Sequence, residues 1–178
     1  LYSNTTGTYN TALGSSALYA NTTASYNTAI GADALVTNTT GNYNTAVGYS
    51  SLANNTTGEQ NVAVGRSAAG SITTGAYNTA IGTYALNANT TATSNTAVGK
   101  SAMTANTTGD KNVAVGSLRF DANTTGSDSV AMGYGALGTN TTGGLNVAVG
   151  KNALTTNNAD AIFYTTEIDF MKYGFFAN

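Results

Sequence analysis

Asn112-Val113-Ala114-Val115-Gly116 returns as Asn146-Val147-Ala148-Val149-Gly150 and, with one threonine for valine, as Asn44-Thr45-Ala46-Val47-Gly48. The glycine that closes this block stands at Gly14, Gly31, Gly48 and onward to Gly150, and every interval is 17 residues with no insertion or deletion. Two residues before each glycine is an alanine, from Ala12 to Ala148. Directly before it is Leu13, Ile30, Val47, Val64, Ile81, Val98, Val115, Met132 or Val149. Four residues after it runs a second apolar column, Leu18, Leu35, Leu52, Ala69, Leu86, Met103, Phe120, Leu137 and Leu154. An Asn-Thr-Thr-Gly block completes the repeat, with Ala24 and Ala92 in place of its glycine in two copies and Ile72 in place of its asparagine in one.

A fixed length between fixed apolar columns is the mark of a solenoid, in which each rung must return to the same place above the last. Disordered Asn/Thr/Gly-rich tracts have no reason to keep such a length. Seventeen residues are too few for two packed helices, and Asn, Thr and Gly are poor helix formers. The short β-branched blocks read as strands. The expectation is an all-β chain, a parallel β-solenoid (β-roll) of about ten rungs over residues 1–160, with an irregular C-terminal cap at 161–178. Each rung reads as strand, glycine turn, second short strand and Asn-Thr-Thr-Gly corner. At about 4.8 Å per rung the coil should run roughly 45–50 Å. The aliphatic and leucine columns are expected inside. The alanine column is expected to form a flat outer surface where another copy docks, with Ala80, Ala97 and Ala114 at its centre. A ladder of asparagines, Asn10, Asn27, Asn44 and their successors, is expected to bond rung to rung.

Charged residues make up 8% of the chain, against about 25% in ordinary soluble domains. A formal charge of −2 offers no basic stripe for nucleic acid. No apolar run approaches the roughly 18 residues of a membrane span. Leu1 falls within a repeat, as expected of a processed or excised segment. The chain lacks His and Cys, so the nucleophile–base pairs that use them are missing and no catalytic function is expected. Asp33, Glu59, Asp110, Asp121, Asp128 and Asp160 sit at variable repeat positions, mostly turns, and read as solvated surface. No cofactor or metal is expected.

Two polar columns are candidates for a surface function. Asn4, Asn21, Asn38, Asn55, Asn89, Asn106, Asn123 and Asn140 each open an Asn-x-Thr acceptor sequence for N-glycans. Thr22, Thr39, Thr56, Thr90, Thr107 and Thr124 form a ladder beside them. The threonines read either as corner chemistry bonded to local backbone, as an ice-binding array, or as a glycan-bearing or ligand-binding face. In the tail, Phe163, Phe170, Phe175 and Phe176 would create a large apolar patch if exposed. They read as a cap over the last rung or as an inter-subunit docking segment.

The blocks Asp128-Ser129-Val130-Ala131-Met132-Gly133 and Asn112-Val113-Ala114-Val115-Gly116 resemble the Ser/Asn-Val-Ala-Ile-Gly signature of YadA-like head domains of trimeric autotransporter adhesins. Similar repeats occur in some phage tail-fibre proteins. The resemblance covers residues 1 to about 160. It implies a left-handed parallel β-roll, three chains side by side, and attachment to a surface. The repeat here is longer, by the Asn-Thr-Thr-Gly corner, and no neck, coiled-coil stalk or anchor is read in these residues. The expected function is therefore a structural or adhesive extracellular fibre segment, at a cell surface or on a virion. Its expected partner is itself, as a homotrimer or an end-to-end filament, with a host-surface or glycan receptor beyond. The alternatives are an ice-binding protein using threonine ladders and the receptor-binding shaft of a phage tail fibre.

Overall fold

A computed structural model of the chain describes residues 1–117 and 120–155. It contains nine strands of three residues: β1 (Thr11–Leu13), β2 (Thr28–Ile30), β3 (Thr45–Val47), β4 (Val62–Val64), β5 (Thr79–Ile81), β6 (Thr96–Val98), β7 (Val113–Val115), β8 (Val130–Met132) and β9 (Val147–Val149). They form one parallel sheet in chain order, so the expected β-solenoid is the fold. Register is strict: Ala46 pairs with Ala63 and Ala63 with Ala80, one period away each time. Eight steps of about 4.8 Å give the sheet, from Thr11 to Val149, a length of about 38 Å.

Two details of the rung differ from the expectation. No second strand follows the glycine among the described residues. The leucine-bearing segment is a run of turns whose residues alternate into the left-handed region, as at Ser16 (φ 57°) and Leu18 (φ 49°). It still bonds rung to rung, Leu18 N–H to Ala34 O at 3.0 Å and Ala20 N–H to Val36 O at 3.0 Å. A left-handed conformation costs a non-glycine residue about 1–2 kcal/mol. Leu18, Leu35, Leu52, Leu86 and Leu137 are completely buried, which returns roughly 1.5–3 kcal/mol each. Burial therefore wins over local backbone preference.

The second correction concerns which face of the strand is inside. Ala29, Ala46, Ala63, Ala80, Ala97, Ala114, Ala131 and Ala148 have no exposed surface. The aliphatic residue after each points outward: Ile30 is 36% exposed, Ile81 41% and Val149 45%. Thus Ala80, Ala97 and Ala114 are core residues and cannot serve as a docking surface. A three-residue strand puts two side chains on one face and one on the other. The coil is narrow, and the leucine column already fills it from the opposite wall. Only a small residue fits from the sheet side.

The corner glycines are fixed by space as well as conformation. Gly48 has φ 129°, and a Cβ there would lie 2.7 Å from the carbonyl carbon of Gly65 in the next rung. At Gly41 the φ is ordinary and the obstacle is Gly58 O. Alanine already occupies that column at Ala24 and Ala92, so small shifts absorb the methyl group. Gly48→Ala should therefore cost about 2–4 kcal/mol, while Gly41→Ala should cost less than about 1 kcal/mol. Chemical denaturation of both variants checks the contrast.

Candidate functional site

The two asparagine columns lie inside the coil. In the first, which precedes the strands, the main-chain N–H of Asn27 donates to Asn10 Oδ1 at 2.9 Å and that of Asn44 to Asn27 Oδ1 at 2.8 Å. From Asn10 to Asn112 the side-chain Nδ2 reaches forward to the carbonyl of the next corner, as from Asn44 to Gly58 O at 2.8 Å. The expected amide ladder is thus present, and it bonds backbone as well as side chains. Ser129 takes one place in the column and keeps the chain of bonds, donating its N–H to Asn112 Oδ1 and accepting from Asn146 N–H at its hydroxyl.

The second column comprises the asparagines of the Asn-Thr-Thr corner. Asn38 Nδ2 donates to Asn21 Oδ1 (3.3 Å) and to Gly41 O (3.0 Å), and Asn55 Nδ2 donates to Asn38 Oδ1 (2.8 Å). Ile72 interrupts the column, which leaves Asn55 Oδ1 without a hydrogen-bond partner. Asn21, Asn38, Asn55, Asn89, Asn106, Asn123 and Asn140 are fully buried, and Asn4 is half-buried in the first rung. The reading of this column as a glycan or ligand face is therefore overturned. A glycan attaches through Nδ2, and in the folded coil that atom faces inward onto a carbonyl.

Thr22, Thr39, Thr56, Thr90, Thr107 and Thr124 are half-buried. Each donates its hydroxyl to the main-chain carbonyl of the threonine one rung on, at 3.0 to 3.4 Å. Corner chemistry accounts for them. Their C-terminal neighbours, from Thr6 to Thr142, are the exposed column.

Acidic side chains are spread along the coil. Glu59 Oε1 accepts from Asn42 Nδ2 at 3.1 Å, and Asp110 Oδ1 accepts from the N–H of Thr93 at 2.6 Å. Among the described residues no group of three His, Cys, Asp or Glu could hold a metal ion, and no helix is long and apolar enough to cross a membrane. Phe163, Phe170, Phe175, Phe176 and Asp160 lie outside the described residues.

What the surface does offer is the outer face of the sheet. It carries two columns, Thr or Val at the first strand position and Leu, Ile, Val or Met at the third, and none of these side chains is charged. Sequence reasoning missed it because it placed the aliphatic column inside. No family model matches the chain, and no curated protein and no solved structure matches it either.

The amide ladders hold the rungs together from within. Asn38→Ala removes one member: Asn21 Oδ1 is left without a partner, and Gly41 O and Asn55 Nδ2 each keep one of two bonds. An unsatisfied buried polar group costs about 1–3 kcal/mol, so the variant should lose about 2–4 kcal/mol in denaturant titration. Thr40→Ala, two residues away in the exposed column, should change stability by less than about 0.5 kcal/mol.

Proposed function

We propose that this chain is a structural, adhesive fibre segment that assembles with further copies of itself through the outer face of its sheet. The observation that carries the reading is the uncharged strip of Thr/Val and aliphatic side chains along β1–β9. A strip roughly 40 Å long and 12 Å wide covers about 500 Å² on each chain, which puts a two-chain contact near the 1,000 Å² of a specific interface. An uncharged strip of this size, with an aliphatic column along its length, favours a partner in water. A second copy fits because its side chains repeat at the same interval. We rest the extracellular setting, at a cell surface or on a virion, on the resemblance of the repeat alone.

The borders of the strip give the assembly a direction. Glu59, Asp110 and Asp128 precede their strands, while Arg66, Lys100 and Lys151 follow theirs; Lys111 and Asp33 run against the trend. All strands run the same way, so one long edge is mainly acidic and the other mainly basic. Two faces related by an axis parallel to the coil set acidic edge against basic edge. Inverting one chain would set like against like, which association disfavours. The same sense holds for a side-by-side trimer.

Ile81→Arg should abolish association in light scattering and leave the circular dichroism unchanged, whereas Ala80→Arg should unfold the chain by burying a charge. The absence of native cysteine allows a test of direction with a short bis-maleimide. Ile30→Cys should link to a second copy of itself. Linkage found only between Ile30→Cys and Met132→Cys chains would keep the assembly and reverse its sense. A monomer at micromolar concentration would remove the reading. Ice binding, the rival, draws on the exposed threonine column. Thermal hysteresis that survives Ile81→Arg and disappears with Thr91→Tyr would favour it.

A further inference from the structure

Tyr9, Tyr26 and Tyr43 occupy one place in successive rungs, directly before the asparagine of the first ladder. Their ring centroids are 4.9 Å apart at both steps, with planes inclined by 15° and 5°. Tyr2 and Tyr19 make a second stack at 4.9 Å and 1°. Every one of the five is at least 46% exposed. The first stack is held from behind, since the asparagine after each tyrosine bonds to its counterpart in the neighbouring rung. Stacking ends where Gln60 separates Tyr43 from Tyr77. Tyr49 and Tyr77 are as exposed as the others but stack on no ring.

A parallel pair of exposed phenols at rung spacing is arranged for radical coupling. We propose that the two tyrosine stacks are oxidative modification sites at which a peroxidase-class oxidant, supplied with hydrogen peroxide, joins neighbouring rungs through dityrosine bonds. Each phenol loses one hydrogen atom, and the peroxide takes up both to leave as two waters. The two phenoxyl radicals form one carbon–carbon bond between ring positions ortho to the oxygens. The hydrogen displaced from each of those carbons moves to its own oxygen and restores both phenols. Holding the rings side by side makes the coupling effectively unimolecular, which favours the stacked pairs over encounters between separate chains. The chain has no cysteine, so these bonds would be a covalent tie between rungs that a disulfide cannot supply here.

The experiment exposes the full chain to peroxidase and hydrogen peroxide, then maps linked peptides by mass spectrometry after digestion with a broad-specificity protease. Links Tyr9–Tyr26, Tyr26–Tyr43 and Tyr2–Tyr19 within one chain should dominate. Tyr26→Phe keeps a stacking ring but has no phenol, so both links of the first stack should be lost while Tyr2–Tyr19 persists. Gln60→Tyr closes the gap in the column and should bring Tyr77 into new links. The proposal is overturned if Tyr49 and Tyr77 of the unaltered chain are linked as often as the stacked residues. It is also overturned if free tyrosine in the same mixture dimerises while the chain does not, or if Gln60→Tyr adds no link to Tyr77.

Discussion

Buried amides in this coil find their partners one rung away, and the 17-residue interval is what brings those partners within reach. Asn44 illustrates the dependence: its N–H, its Oδ1 and its Nδ2 are satisfied by Asn27, Asn61 and Gly58 in adjoining rungs. An insertion of a single residue would displace each of these groups and reverse the facing of the following strand. A narrow interior lined with amides is tolerable only when they are matched, because an unmatched one costs about as much as a buried methyl group contributes several times over. Strict periodicity is thus a condition of stability for this composition, and the absence of insertions follows from it.

The cross-section shares its volume unequally. One wall supplies leucine, methionine or phenylalanine from a turn segment in left-handed conformations, and the other supplies alanine from the strand. Ala69 stands where the leucine column shrinks, and Ile72, three residues on, enters the core at the following corner in place of an asparagine. The rung that loses a large side chain in one column gains one in another. That exchange gives a packing reason for the one interruption of the second amide column.

The fold was legible because the period is exact in length and the residue types exclude helices. The parity of the strand was also legible in principle. Asn44 and Ala46 are two residues apart in an extended segment and share a face, so burying the amide ladder commits the alanine to the interior as well. The hydropathy of valine and isoleucine argued the other way, and the constraint of a narrow coil overrode it. Conformation was harder to read. Nothing about Leu18 or Leu35 announces a left-handed backbone, since the preference is imposed by the inward pull on the side chain. The burial of Asn38 and Asn55 was hidden by their resemblance to glycan acceptors, a pattern that describes chemistry available only at a surface. The tyrosine stacks could have been read from the positions of Tyr9, Tyr26 and Tyr43 once the register was fixed.

The direction of the polar side chains bears on how long such a coil can grow. In the Asn-Thr-Thr column the amides of Asn21, Asn38 and Asn55 donate toward the first rung, whereas the hydroxyls of Thr22, Thr39 and Thr56 donate toward the last. The strands between them add little, because a sheet carries only a small net dipole. In the rungs of Asn21, Asn38 and Asn55 these side-chain dipoles run in opposite senses and partly offset one another. An α-helix points all its peptide groups one way and builds up opposite partial charges at its ends; this coil divides these side-chain donors between the two directions. Opposed groups of this kind leave less end charge to resist the addition of a further rung.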